Sequence, residues 1–134
     1  MLIEPKYNPI IAETYPVGQF LFYPNFVVGK FNEGAHVTKE NMAGAIRLAQ
    51  EIYSADCPIV YISHRLHSYS MDPTGYQEVA KLFPNFKGFA IVSKNRYRRM
   101  LAKLERRFIK KPMAVFYDLD TAFEWADGLL NNED

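Results

Sequence analysis

The segment Pro58-Ile59-Val60-Tyr61-Ile62-Ser63 decides how the chain is read. Ile59 to Ile62 is a short continuous apolar run, the type found in strands buried on both faces. Pro58 ends whatever precedes it. Upstream, Met42, Ala45, Ile46, Ala49, Ile52 and Tyr53 recur at helical spacing behind Thr38, which is placed to cap that helix. Downstream, the alternation of strand and helix repeats. Asp72 caps and Pro73 begins a helix with Tyr76, Val79, Ala80 and Phe83 on one face, stopped by Pro84. Gly88 to Val92 is the next strand, followed by a helix with Tyr97, Met100, Leu101, Leu104 and Phe108 inward. Met113 to Tyr117 is a further strand. A last helix turns Ala122, Phe123, Ala126, Leu129 and Leu130 inward.

Strands that alternate with helices of this length call for crossover connections and a mainly parallel sheet. The first third is different. Phe20-Leu21-Phe22-Tyr23 and Phe26-Val27-Val28-Gly29-Lys30-Phe31 flank a Pro24-Asn25 turn and read as a hairpin, with another strand from Ile10 to Tyr15 before it. The expected fold class is α/β: a mixed, mainly parallel sheet of about five to six strands, an N-terminal antiparallel hairpin and about four helices.

The chain has 134 residues and is 49% hydrophobic, which suits one packed core, so residues 1–134 are expected to form a single domain. A net charge of +1 excludes any function that rests on overall charge. The lone Cys57 cannot form an internal disulfide and fits a reducing compartment. Met1 to Lys6 lack the basic-then-apolar pattern of a signal peptide, and no apolar stretch approaches the roughly 20 residues of a membrane span. A cytoplasmic location is expected.

The most polar long connection runs from Ser63 to Asp72 and includes His64, Arg65, His67, Ser68 and Ser70. It follows the C-terminal end of a buried strand and leads into the helix N-terminus at Asp72-Pro73, the place where open α/β sheets usually bind ligands. An anion would suit the helix N-terminus, with Arg65 as a charged clamp. Alternatively, Ser70 and Asp72 only cap the helix while Arg65 and the histidines are solvated. His36, His64 and His67 do not have the spacing of a metal site, since no Cys or fixed carboxylate stands beside them. The crowding of Ser63, Ser68, Ser70, His64, His67 and Asp72 does not make a triad, because triads draw on separate parts of a chain and no Gly-x-Ser-x-Gly elbow is present. Asp118 and Asp120 resemble the Asp-x-Asp of aspartate-dependent phosphatases, but that motif opens its fold, whereas here it precedes the last helix. They read as its cap and first-turn acid.

Charge is unevenly distributed. Between Lys94 and Lys111 nine Lys or Arg face the single Glu105, a net +8 that leaves −7 for the rest of the chain. Arg96, Arg99, Lys103, Arg106 and Lys110 follow at steps of three and four and should form one stripe opposite the buried face. Such a stripe could meet nucleic acid, anionic lipid or an acidic protein surface. Nucleic acid is disfavoured on the expectation that Tyr97 and Phe108 point inward, which leaves no exposed aromatic for base stacking.

Gly88-Phe89-Ala90-Ile91-Val92, the basic helix Arg96 to Phe108, and Val115-Phe116-Tyr117-Asp118-Leu119-Asp120 with Ala122 and Trp125 resemble the C-terminal half of the STAS-like family. That family includes the anti-sigma-factor antagonists and many bacterial stand-alone domains, and is grouped at fold level with the lipid-carrying CRAL-TRIO domains. The antagonists carry a phosphorylatable Ser in an Asp-Ser-x-Gly motif where a strand passes into the next helix. Asp72-Pro73-Thr74-Gly75 keeps the Asp and the Gly but has Pro in place of the Ser. Ser68, Ser70 and Thr74 are the hydroxyls left for a phosphorylation switch.

The resemblance implies a non-enzymatic regulatory or binding domain that acts through a protein partner or a small anionic or lipid ligand. No catalytic residue, metal or cofactor is assigned. The alternatives are a small hydrolase or transferase using residues 63–72, and nucleic-acid or anionic-membrane binding through residues 96–110. A homodimer is the assembly expected.

Overall fold

The computed structural model describes residues 7–67, 69–71 and 74–131. Its strands are β1 (Ile11–Tyr15), β2 (Gly18–Phe22), β3 (Phe26–Phe31), β4 (His36–Val37), β5 (Ile59–His64), β6 (Ser70–Met71), β7 (Phe86–Val92) and β8 (Met113–Phe116). Its helices are α1 (Ala43–Ile52), α2 (Thr74–Ala80), α3 (Arg96–Ala102), which continues into a 3-10 turn over Lys103–Phe108, and α4 (Leu119–Asn131). Six strands form one sheet in the order β1-β2-β3-β5-β7-β8, and β4 pairs with β6 alone. The pairs β1/β2 and β2/β3 are antiparallel, and β3/β5, β5/β7 and β7/β8 are parallel. This is the mixed sheet with an N-terminal hairpin expected from the sequence.

The sheet has two unlike faces because side chains alternate along each strand. Phe20, Phe22, Val27, Phe31 and Ile59 lie on one face, where α1 covers them with Met42, Ala45, Ile46, Ala49 and Tyr53. Val79, Leu82 and Phe83 close the same face from the α2 side. Phe89, Ile91 and Met113 continue it and meet Ala102 of α3. On the opposite face Phe26, Val28, Val60, Ile62, Ala90 and Val92 pack against Ala122, Phe123 and Ala126 of α4. Gly88 lets α4 approach, since a Cβ there would overlap Leu129 and crowd Trp125. The Tyr53 hydroxyl donates to the carbonyls of Tyr23 and Phe26 and so ties α1 to the hairpin turn.

Three sequence expectations need correction. Thr38 does not cap α1. Its Oγ1 accepts from the Asn41 amide at 3.1 Å while Asn41 Oδ1 accepts from the Thr38 amide at 2.8 Å, which closes a separate turn before the helix. Ser63 and His64 are not loop residues. They extend β5, where they pair with Ile91 and Val92 of β7.

The third correction concerns α3. Tyr97, Met100, Leu101 and Leu104 do not face the sheet but are 67%, 59%, 47% and 55% exposed. Asn95 Oδ1 caps the helix by accepting from the Arg98 amide at 3.0 Å. Arg99 donates to the Ser93 carbonyl at 2.7 Å and Arg106 to the Met113 carbonyl at 3.2 Å. With the small Ala102 buried between them, these guanidinium anchors hold the inward face, and the apolar stripe turns to solvent. The Phe108 and Tyr76 side chains lie outside the described residues.

Candidate functional site

The C-terminal end of β5 carries a connected polar cluster. Ser63 points to the α1 side and is 1% exposed. Its hydroxyl lies 3.0 Å from the Tyr69 hydroxyl and accepts from Arg65 Nε at 3.1 Å. Arg65 then reaches the 3-10 turn, where its two terminal nitrogens engage both oxygens of Glu105, one of them at 2.8 Å. The same guanidinium sits 5.5 Å from the centre of the Tyr69 ring, which packs against Phe31. Arg65 and Tyr69 are therefore both fastened to the end of β5.

Beneath this cluster lies a cavity of about 90 Å³ between the sheet and helices α1 and α2. Its walls are Phe20, Phe22, Val27, Phe31 and Phe89 from the sheet, Ala45, Ile46 and Ala49 from α1, and Met71, Val79, Ala80 and Phe83 from the α2 side. Among the described residues, the hydroxyl-bearing ones lining it are Tyr61, Ser63 and Tyr69. One water needs roughly 10–15 Å³ of such space and two or more polar partners, so a carbon-lined cavity of this size favours an apolar occupant. The Tyr61 hydroxyl lies over Gly29, where a Cβ would overlap it. It is sealed from solvent with no hydrogen-bond partner among the described residues. Burial raises its pKa, with the neighbouring Tyr69 adding to the effect and Arg65 opposing it. It stays a neutral phenol, and an orphaned buried hydroxyl of this kind costs about 1–3 kcal/mol.

The other expected site residues are dispersed. His64 points to the opposite face of the sheet. Its Nδ1 is buried without a partner among the described residues, and burial, then Lys30 and Lys94, lower its pKa. His67 is exposed. Ser70 pairs with His36 across β4 and β6, and Ser70 Oγ lies 2.8 Å from His36 Nδ1. Ser68, Asp72 and the Thr74 side chain lie outside the described residues. No group of three or more His, Cys, Asp or Glu that could hold a metal occurs among the described residues. Asp118 caps α4, since its Oδ1 accepts from the amide of Thr121 at 2.9 Å and from its hydroxyl at 2.6 Å. Those bonds lower its pKa.

Of the basic stripe, Arg96, Lys103 and Lys110 are exposed, while Arg99 and Arg106 turn back to backbone carbonyls. Arg99 also stacks 5.4 Å from the centre of the Tyr117 ring, which Lys94 meets at 5.9 Å. Sequence reasoning missed Tyr61, Tyr69 and Glu105. The period-two step from Tyr61 to Ser63 would have put both on one face, and Glu105 stood out as the single acid in a basic run.

No protein-family profile matches the chain, and no curated protein matches it. Among solved structures, it is similar to an uncharacterised protein of the DUF3478 family from Shewanella loihica PV-4, described as having a SpoIIAA-like fold. The likeness has a TM-score of 0.53 at 14% identity and covers 93% of this chain and 98% of that one. The fold of this chain is SpoIIAA-like, the STAS-type arrangement of a mixed sheet with helices on both faces.

Proposed function

We propose that the protein is a non-enzymatic binding domain whose ligand is a small amphipathic molecule of the acyl-chain type. The cavity between the sheet, α1 and α2 is the observation that carries this reading. Its carbon walls suit a hydrocarbon tail, and the hydroxyls of Tyr61, Ser63 and Tyr69 offer a polar group somewhere to bond. Ligand sites generally combine mostly apolar walls with a few convergent polar groups. Arg65 is committed to Glu105, so a neutral or weakly acidic head group fits better than a dianion.

Ser63 also speaks against catalysis at this place. Its oxygen accepts a hydrogen bond from a guanidinium and lies beside a phenol, so its hydrogen bonds among the described residues supply no base to activate it. A fluorescent fatty-acid probe tests the reading. Saturable uptake, displaced by unlabelled medium-chain fatty acid and abolished by Ala49→Leu, is expected. Uptake unchanged by Ala49→Leu and by Val79→Phe would place the probe elsewhere and refute it.

One observation favours a second reading, that of a small hydrolase. His36 and Ser70 stand at base-to-nucleophile distance, although both are exposed and β4 and β6 are only two residues each. A fluorophosphonate label on Ser70 that is lost in His36→Ala would support it.

A further inference from the structure

The outward face of α3 and of the turn that continues it carries the apolar strip expected to face inward, beside the basic side chains expected there. Tyr97, Met100, Leu101 and Leu104 are spaced i, i+3, i+4, i+7, the signature of a helix face that buries against something, yet all four are about half exposed or more. Tyr117, 56% exposed, stands on the neighbouring strand end and is tied to this helix through Arg99. Side chains of this size rarely gather on a surface without an interaction to make. Around them lie Arg96, Lys103, Arg107, Lys110 and Lys111, all exposed. The single acid of the segment, Glu105, is bound to Arg65 from another strand and cannot neutralise them.

We propose that this face docks the protein peripherally on an anionic phospholipid surface. An apolar strip bordered by long cationic side chains matches the boundary between acyl chains and head groups. Met and Leu enter the apolar layer while Lys and Arg reach anionic phosphates. No helix among the described residues is long and apolar enough to cross a membrane, so the contact is superficial. A symmetric contact with a second copy would set the same cations against each other. Nucleic acid would use the charges and Tyr97 but gives Met100, Leu101 and Leu104 no apolar partner. The docking does not depend on what the cavity holds.

Co-sedimentation of the full chain with vesicles tests it, using pure phosphatidylcholine and an equimolar mixture with phosphatidylglycerol. Binding to the mixed vesicles only is expected, weakening as salt is raised. The triple variant Met100→Ser, Leu101→Ser, Leu104→Ser should lower the partition coefficient by about tenfold or more. Lys103→Gln with Arg107→Gln should lower it by roughly tenfold or more as well. Both variants change exposed side chains, so their melting temperatures should match the parent. The proposal is overturned by no binding to the mixed vesicles, by binding that the serine variant leaves unchanged, or by a dimer in solution that the serine variant dissociates. Binding to a short RNA or DNA without binding to vesicles would overturn it in favour of nucleic acid.

Discussion

Arg65 and Glu105 form a two-pronged ion pair that joins the end of β5 to the 3-10 turn after α3. The two residues are 40 positions apart, and both side chains are largely withdrawn from water. The pair therefore fixes the loop over the cavity and the orientation of α3 at the same time. Bidentate, partly desolvated pairs are worth more than surface ones, and removing one partner leaves the other charge stranded. Arg65→Met or Glu105→Gln should each cost about 2 kcal/mol in urea unfolding, and the double variant should cost less than the sum. Strict additivity would show that the pair is not coupled.

Gly29 and Tyr61 make a second testable couple. A Cβ at position 29 would overlap the Tyr61 hydroxyl. Gly29→Ala should cost about 2 kcal/mol. Tyr61→Phe alone should be neutral or stabilising by about 1 kcal/mol, because the hydroxyl it removes has no partner among the described residues. Combined, Tyr61→Phe should rescue most of the Gly29→Ala loss. A loss unchanged in the Tyr61→Phe background would mean that the phenol is not over the glycine.

His64 supplies a pH dependence whose sign is fixed. Its folded pKa lies below the ordinary 6.5 because burial and the cations of Lys30 and Lys94 oppose a positive ring. The unfolded chain therefore takes up the proton first as pH falls. Stability should be full above 6.5 and decline below it until the folded ring also protonates. His64→Phe should flatten the curve of unfolding free energy between neutral pH and the onset of carboxylate titration. An unaltered curve would assign that slope to other groups.

The α4 cap gives an acid-side counterpart. Asp118 is held below its ordinary 3.8 by its bonds to Thr121. It favours the folded state above that value, and the benefit is lost as pH falls through the folded pKa. Asp118→Ala should lower the melting temperature at pH 7, and Asp118→Asn, which keeps an acceptor, should lower it less.

Much of this architecture is legible in the residues. The run Ile59 to Ile62 reads as a doubly buried strand because it is one, with α1 on one side and α4 on the other. The Pro24-Asn25 turn reads as a hairpin because both flanks are β-branched and aromatic. The stripe on α3 misleads for a definite reason. Spacing shows that Tyr97, Met100, Leu101 and Leu104 share a face, but not whether the domain or something outside it covers that face. The deciding contacts are arginine bonds to carbonyls of Ser93 and Met113, which leave no periodic trace. The cavity is illegible for a similar reason, since an unfilled space depends on how α1 and α2 sit over the sheet.

Native mass spectrometry of the protein as purified from its own cells tests the ligand reading most directly. A retained adduct is expected, of a mass that denaturing conditions release intact and that Ala49→Leu no longer carries. An adduct-free parent spectrum, together with no uptake of added medium-chain fatty acid, would contradict the account and leave a protein partner as the domain's target.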